Sequence, residues 1–448
     1  MKDRWVLIGA GSAMFTGALV TDIVQRGWEC ELGLVDIDPD ALAVAEGLTR
    51  KVIEARNAPV KLTASTDRKE VLPGATVVIT TIAVGGRRAW EQDVFIPRKY
   101  GIYQPVGDSV MPGGTSRSLR MIPAMVAIAE DVQELAPEAL FFNYANPMTS
   151  VCRAVRKATD ADIVGLCSGV HSVGLSLASM LDAEPSNFRY TAVGLNHLTW
   201  FLEAHVRGED AMPRLREIGR KHLLDRRGDT ARHDQPGGLC WELLETFGAF
   251  PAVGDGHVLE FFPTLFPNGS YDGQKIGVEW HPYEAIIAEG DRIYGGMREQ
   301  ALSDDPLPED YFEHVGGEGE HQQVTDIVES IRLDLGQVFS TNMPNCGQAP
   351  NLPPEAVLEA PTVATAAGLK PIAQRPLPTG IAGTLATRLQ YVETIVDAAL
   401  EASRQKFIQA LILDGWVSSV DTATKLADEM LAAHAEYLPG FHQDLPAG

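Results

Sequence analysis

The chain has 448 residues, and its 45% hydrophobic and 22% charged residues are the proportions of a globular protein large enough for two or three domains. Its 60 acidic and 37 basic residues give a formal net charge of -23, which repels nucleic acid and anionic membrane surfaces, so we expect a small-molecule partner. The five cysteines lack CxxC spacing, and the sequence has no secretory signal and no apolar run of about 18 residues, which predicts a cytoplasmic protein with reduced thiols.

The first predicted element is a strand, turn and helix that would bind a nucleotide. Residues 5–9 are apolar, Gly9, Gly11 and Ser12 form the turn, and residues 15–25 have the pattern of an amphipathic helix. The glycines let the backbone approach a pyrophosphate, whose charge the helix N-terminus would meet. Asp36 follows the next predicted strand, residues 31–35, and can accept hydrogen bonds from an adenosine ribose, which favours NAD over NADP. The alternative is a strand–turn–helix without a ligand.

Two further apolar runs predict buried strands of the same sheet. Residues 75–82 lead to Val84 and Gly85, and residues 139–143 lead to the turn at 144–147. Both loops would lie at the carboxyl edge of a parallel sheet, where open α/β folds bind ligands. We therefore expect Val84 and Gly85 to contribute to the NAD site.

The second half of the chain mixes helical patterns with loops rich in proline and glycine. Residues 390–413 and 422–434 are predicted amphipathic helices. We predict an N-terminal Rossmann domain with a doubly wound sheet over residues 1–195, and an α+β domain that binds the substrate over residues 196–448.

Six motifs occur in order along the chain. They are YGIYQPVGDSVMPGGTSRSLR at 100–120, NYANPM at 143–148, GLCSGVHS at 165–172, GLNHLTW at 194–200, FGAFPAVGDGHVLEFFP at 247–263 and NMPNCGQAPNLP at 342–353. Together they resemble the NAD- and manganese-dependent family 4 glycoside hydrolases, and the sequences of the motifs are most similar to those of the α-galacturonidase branch. The resemblance implies a fold like that of lactate and malate dehydrogenases, a homodimer or homotetramer, and cleavage of an α-glycoside such as an α-galacturonide or another uronide.

The resemblance also implies an unusual glycosidase mechanism. NAD takes hydride from C3 of the sugar, and the resulting ketone acidifies the C2 proton. Elimination expels the group on C1, water adds, and the hydride returns, so there is no net redox. This route needs a divalent metal ion that stabilises negative charge beside C2 and C3.

Cys167 and His197 lie in the motifs that match the family's metal ligands. A thiolate and an imidazole suit a borderline divalent ion, and the family implies Mn²⁺, although ligand softness alone would favour zinc. Taken singly, a cysteine after an apolar strand and a histidine between leucines are often structural. The resemblance therefore predicts that these two residues bind the metal.

Three further residues are candidates for substrate contact. Asn146 would bind sugar hydroxyls; the alternative is a turn before Pro147, with a cis peptide bond. Arg117 and Arg120 are three apart on a predicted helix and can share one face, so at least one could pair with an anionic group of the substrate. Surface solvation is the alternative for both arginines.

Three residues are candidates for proton transfer or a polar role beside the metal. Asp255 falls where α-acting members of the family place the base that removes the C2 proton, and His257 is the second candidate. An Asx turn in a surface loop is the alternative for Asp255. Asp108, in the GDS turn, is expected near the metal or the substrate.

The motif around the predicted metal cysteine departs from the galacturonidase pattern. That branch typically has Cys-His-Glu-Val, whereas this chain has Ser168 directly after Cys167. Serine is a poor general acid at neutral pH. Three explanations stay open: His171 supplies the proton, the leaving group needs none, or the substrate is not a uronide.

Two other functions stay open from the sequence. An NAD-dependent 2-hydroxy-acid or sugar dehydrogenase would produce NADH in stoichiometric amounts and need no metal. A non-catalytic protein that binds NAD and a sugar would show no isotope exchange at C2.

Overall fold

The computed structural model of the chain describes residues 3–12, 15–225, 238–315 and 320–442. The elements of the N-terminal half are β1 (Asp3–Ile8), α1 (Thr16–Gln25), β2 (Cys30–Val35), α2 (Pro39–Ala55), β3 (Val60–Ser65), α3 (Arg68–Val71), β4 (Val77–Thr80), α4 (Gly86–Arg98), α5 (Met111–Leu135), β5 (Leu140–Asn143), α6 (Met148–Ala158), β6 (Ile163–Gly165) and α7 (Gly169–Met180). Those of the C-terminal half are β7 (Phe188–Leu195), β8 (Leu198–Val206), β9 (Glu209–Asp210), α8 (Met212–Asp225), α9 (Gly238–Phe247), β10 (Phe250–Ala252), α10 (Asp255–Val258), β11 (Ser270–Tyr271), β12 (Gln274–Lys275), α11 (Tyr283–Leu302), α12 (Tyr311–Val315), α13 (Glu320–Leu333), β13 (Gln337–Pro344), β14 (Val357–Thr365), β15 (Gly368–Pro371), α14 (Thr379–Leu400), α15 (Arg404–Asp414) and α16 (Val420–Ala433).

The first six strands form a parallel sheet in the order β3-β2-β1-β4-β5-β6. This is the strand order of a dinucleotide-binding Rossmann domain. Along β1, Trp5 and Leu7 belong to one hydrophobic core, and Val6 and Ile8 belong to another. Because side chains alternate along a strand, one strand supplies both layers between the sheet and its flanking helices. The predicted Rossmann sheet is confirmed.

Antiparallel strands extend the same sheet on the β6 side. Asn342 of β13 lies opposite Gly165 of β6, and β14, β7, β8 and β10 follow in that order. With β15 and β9, the sheet has 13 strands within the described residues. The predicted domain boundary between residues 195 and 196 falls at the turn between β7 and β8; the domain division itself stays a prediction.

One predicted helix is divided in two. The pattern over 390–413 suggested a single helix, but α14 ends at Leu400 and α15 begins at Arg404. Ala402 has a φ of 50°, and the Ser403 side chain accepts a hydrogen bond from the Lys406 N–H, which caps the new helix. The prediction over 422–434 corresponds to α16. In the described ranges no helix combines the length and the apolar character that crossing a bilayer requires.

Candidate dinucleotide and metal site

The predicted nucleotide turn lies at the carboxyl ends of β1 and β2. Gly9 has a φ of +92°, and a Cβ added there would lie 2.8 Å from the backbone of Thr81 and Ile82. The Gly11 N–H donates to Oδ2 of Asp36 at 2.8 Å. Asp36 therefore faces the glycine turn, in the position from which an acidic residue can reach a ribose.

The second loop at the carboxyl edge of the sheet, Val84 and Gly85, leads into α4. Arg120 donates a hydrogen bond to this loop. Nε of Arg120 donates to the Val84 carbonyl at 3.0 Å, and its Nη1 lies 3.0 Å from Oδ1 of Asp93. Both side chains of this ion pair are buried. Burial alone would raise the pKa of Asp93, but Arg120 and His434 outweigh burial and lower it. Arg120 thus supports the nucleotide loop and is paired with Asp93.

Three side chains converge where the two halves of the chain meet. One ligand atom each from Asp108, His197 and His257 lies within 4.8 Å of the others. The centroids of the two imidazole rings lie 3.9 Å apart, and the ring planes are tilted by 44° to each other. His197 occupies the turn between β7 and β8 with a φ of 68°, which directs this buried residue out of the strand ladder. The structure therefore groups one predicted metal ligand with two residues predicted for polar or proton-transfer roles.

The surroundings of His197 leave one ring nitrogen available for a ligand and favour the neutral ring. Its Nδ1 lies 3.1 Å from Oγ of Ser109, which leaves Nε2 available for a ligand. Burial lowers the pKa of His197, although Asp108 opposes this shift. A neutral imidazole is the form that binds a metal ion.

Asp108 connects the metal candidates to the substrate candidates. Its Oδ1 accepts from Oγ of Ser109 at 2.8 Å, and its Oδ2 accepts from Nδ2 of Asn146 at 2.8 Å. Nε of Arg117 donates to the Asn146 carbonyl at 3.1 Å. The Asn146–Pro147 bond is cis, and Oδ1 of Asn146 is buried without a hydrogen-bond partner among the described residues. Arg117 and Asn146 are thus brought to the same centre as Asp108.

This donor set fits a divalent ion. One carboxylate and two imidazoles suit Mn²⁺ as well as iron or zinc, and three protein ligands leave positions open for substrate oxygens. Mn²⁺ accepts oxygen ligands readily, and the buried amide oxygen of Asn146, which has no hydrogen-bond partner within the described ranges, is an additional polar group beside Asp108. The residues present therefore fit the metal that the resemblance implies.

Three predicted residues lie outside this group of three. Sγ of Cys167 accepts from the Gly169 N–H at 3.4 Å, and His171 is exposed on α7. The carboxylate of Asp255 accepts from the Leu239 and Cys240 N–H groups at 3.0 and 3.1 Å, at the start of α9. Tyr271 also donates to this carboxylate. The predicted roles of Cys167, His171 and Asp255 stay predictions.

Sequence reasoning missed three polar residues around the centre. Ser109 stands between Asp108 and His197, and Glu260 accepts from the backbone just before Asp108. Both lie in the quoted motifs, so the motifs were a usable signal. Glu359, by contrast, is an isolated acid in the apolar strand β14, where it accepts from Asn196 and Thr199 at 3.3 and 3.2 Å. Burial raises the pKa of Glu359 to about 7.

Curated relatives align with nearly the whole chain. It is 31% identical to an α-glucosidase of Erwinia rhapontici, over 98% of this chain and 99% of the relative. It is 29% identical to an α-galactosidase of Rhizobium meliloti, over 98% of this chain and 90% of the relative. It is also 29% identical to an α-galacturonidase of Bacillus subtilis, over 95% of this chain and 96% of the relative.

Solved structures show the same fold. A 6-phospho-α-glucosidase from gut microorganisms, crystallised with NAD and Mn²⁺, superposes with a TM-score of 0.82 at 20% identity, over 98% of this chain and 99% of that one. The same type of enzyme with NAD and glucose-6-phosphate gives a TM-score of 0.84 at 23% identity, with the same coverage. Malate dehydrogenase of Cryptosporidium parvum gives 0.52 at 12% identity, over 89% of this chain and 99% of that one, which agrees with the predicted fold class.

Family models assign the chain directly. The model of the family 4 glycosyl hydrolases matches residues 4–183, and the model of the family 4 glycosyl hydrolase C-terminal domain matches residues 192–417. Together they cover most of the 448 residues, and they meet close to the turn that carries His197. The chain belongs to family 4 of the glycosyl hydrolases.

Proposed function

We propose that this family 4 enzyme cleaves an α-glycoside by the NAD-dependent elimination route, with NAD at the edge formed by Gly9, Gly11 and Asp36. The convergence of Asp108, His197 and His257 carries this proposal, because it creates an oxygen and nitrogen donor set between the two halves of the chain. We propose Mn²⁺ as the ion, with Cys167 as a further ligand on the strength of the resemblance. When bound, NAD supplies a hydride acceptor and the ion supplies charge stabilisation at the sugar oxygens.

The substrate binds on the Asn146 side of this centre. The buried Oδ1 of Asn146 has no partner among the described residues, so it can accept a hydrogen bond from a sugar hydroxyl. Its Nδ2 is fixed by Asp108, so the amide is oriented before the substrate arrives. The curated relatives named above all act on α-linked sugars, which supports an α-glycoside.

An acidic sugar is the proposed substrate class. Arg117 is half-buried beside Asn146 and Asp108, and it forms no ion pair with a carboxylate in the part of the chain that the structure describes. Burial lowers the pKa of Arg117 although Asp108 opposes the shift, so the guanidinium gains from a second anion nearby. A uronide carboxylate would supply that anion, as in the α-galacturonidase relative.

Proton transfer is assigned to residues of two segments. We propose Asp255 as the base at C2 and His257 as the alternative, since His257 already reaches the metal group. Departure of the leaving group is assigned to His171 or proceeds without protonation, because Ser168 titrates far above neutral pH.

We also propose a cellular compartment, an oligomeric state and a type of partner for the enzyme. All five cysteines are free, which agrees with a reducing compartment, and we propose a cytoplasmic homodimer or homotetramer. The net charge of -23 favours a small-molecule partner over nucleic acid.

One assay tests this function against its alternatives. The enzyme is stripped of metal, then given NAD, Mn²⁺, a thiol reductant and a nitrophenyl α-galacturonide, α-glucuronide, α-galactoside or α-glucoside. We expect nitrophenol release that needs both NAD and Mn²⁺, is fastest with a uronide, and leaves no accumulated NADH. Stoichiometric NADH would instead assign a dehydrogenase, and binding without turnover would assign a non-catalytic protein.

A further inference from the structure

The loop that carries Asp108 is held in place by a buried glutamate from the other half of the chain. Oε1 of Glu260 accepts from the Val106 N–H at 3.2 Å and from the Gly107 N–H at 2.7 Å. Glu260 has 0% of its surface exposed, and these two N–H groups immediately precede Asp108. The carboxylate of Glu260 therefore fixes the backbone from which Asp108 extends.

Glu260 and His257 belong to one short helical segment. Helix α10 ends at Val258 and continues into the 3₁₀ turn Leu259–Phe261, so the two residues are three apart on a single turn. Nε1 of Trp416 donates to the Glu260 carbonyl at 2.9 Å. The segment that supplies one candidate ligand thus also sets the position of another.

The far end of the same loop is held by a second buried carboxylate. Oδ1 of Asp414 accepts from the Met111 N–H at 3.3 Å, where Met111 has a φ of 61°. Arg388 pairs with Asp414 at 3.1 Å and also donates to the Phe261 carbonyl. Residues 106–111 are therefore fixed at both ends by groups attached to the segment of His257.

We propose that Glu260 is a positioning residue that sets the distance of Asp108 from His197 and His257, and so the affinity of the centre for Mn²⁺. This inference rests on the metal centre of the proposed function. Glu260 acts as a hydrogen-bond acceptor for two backbone N–H groups, so the acceptor oxygen is what the centre requires. Glutamine keeps such an oxygen, whereas methionine has a similar length and lacks it.

The test measures Mn²⁺ binding without turnover. The electron paramagnetic resonance signal of free Mn²⁺ is titrated with wild type, Glu260→Gln, Glu260→Met and the control Asp131→Asn. Asp131 is also a buried carboxylate, but it pairs with Arg68 near the end of α5, about 30 Å along that helix from Met111. NAD affinity and the unfolding temperature are measured on the same samples.

We expect a loss of Mn²⁺ affinity without a loss of NAD affinity. Glu260→Met should weaken Mn²⁺ binding about 10- to 100-fold with NAD affinity unchanged, since partners that orient metal ligands have effects of that size. Glu260→Gln and Asp131→Asn should bind Mn²⁺ as wild type does. Wild-type affinity in folded Glu260→Met would overturn the inference alone. A wild-type protein that binds no Mn²⁺ would overturn the proposed function and this inference together.

A second measurement needs no variant. In metal-free wild-type protein the amide hydrogens of Val106 and Gly107 should exchange slowly with deuterium, because both are bonded to a fully buried carboxylate. Exchange at the rate of an open loop would overturn the inference even where Glu260→Met fails to fold.

Discussion

The side-chain amide of Asn146 donates to the carboxylate of Asp108, with 2.8 Å between Nδ2 and Oδ2. Asn146 follows the parallel strand β5, whereas Asp108 lies in the loop before α5. One carboxylate oxygen of Asp108 lies within 4.8 Å of a ring nitrogen of His197 and of a ring nitrogen of His257. The contact joins a residue at the ligand-binding edge of the sheet to the candidate metal group. Sugar binding and metal binding are therefore expected to occur at one centre.

The first prediction concerns His197 as a metal ligand. His197→Ala should weaken Mn²⁺ binding at least about 100-fold and leave NAD affinity unchanged, because the dinucleotide edge lies on other strands. His205→Ala is the matched control, since His205 lies farther along β8 and outside the group of three. Isothermal titration with Mn²⁺ measures both; equal affinities of the two variants would contradict the assignment.

The second prediction separates Arg117 from Arg120. Arg117→Met should reduce kcat/KM for an α-galacturonide about 10- to 100-fold relative to a neutral α-galactoside, the effect of losing a hydrogen bond to a charged group. Arg120→Met should instead lower the free energy of unfolding by about 3–5 kcal/mol, because Asp93 loses its main buried partner. Urea unfolding and substrate kinetics distinguish the two, and a substrate preference altered by Arg120→Met alone would reverse the assignment.

The third prediction concerns the nucleotide turn. Gly11→Ala would place a Cβ 2.6 Å from Cβ of Ala41 and 2.8 Å from Oδ2 of Asp36, so the turn must shift. We expect NAD affinity to fall about tenfold, equivalent to about 1.4 kcal/mol. Gly296→Ala is the control, since nothing lies within 4 Å of an added Cβ in that exposed part of α11. Fluorescence titration with NAD should find the control unchanged; a wild-type affinity for Gly11→Ala would place the cofactor elsewhere.

The fourth prediction is a pH dependence of stability. Burial raises the pKa of Glu359 from its ordinary 4.5 to about 7 in the folded protein, so between these values the folded protein holds a proton that the unfolded chain has lost. The stabilisation from this group is complete below the lower value and is lost as the pH rises through the higher one. Its size is about 3 kcal/mol.

Glu359→Gln removes this titration. The unfolding free energy of the variant, minus that of wild type, should therefore increase between about pH 5 and pH 8. Urea unfolding of the metal-free proteins measures the difference at each pH. A difference that stays constant over this range would show that Glu359 keeps its ordinary pKa.

The parallel half of the fold could be predicted because apolar runs and glycine turns are local signals. The predicted ranges 31–35 and 139–143 each differ from β2 and β5 by one residue at the first position. The carboxyl-edge rule also put Asn146 at the edge of the sheet where it contacts Asp108, since parallel strands end at one edge; its contact with substrate stays a prediction. The motif order identified the family, and the two family models agree with it.

The direction of individual side chains could not be predicted in the same way. Helical spacing put Arg117 and Arg120 on neighbouring positions, but the partner that distinguishes them, Asp93, lies on another helix. The motif placed Asp255 near His257, whereas its carboxylate points to the N–H groups at the start of α9, a long-range contact that spacing does not encode. Glu359 gave no signal, because an acid within an apolar strand is recognised only when its partners are known.

In the proposed function, substrate turnover passes through loss of the C2 proton at the centre formed by Asp108, His197 and His257. The most direct measurement is NMR of the sugar released from an α-galacturonide in D₂O, with NAD and Mn²⁺ present. Deuterium is expected at C2 of the product of wild-type enzyme, whereas Asp255→Asn should show neither cleavage nor exchange. Exchange that persists in this variant transfers the role of base to His257. A cleaved product that keeps its original hydrogen at C2 would rule out the elimination route.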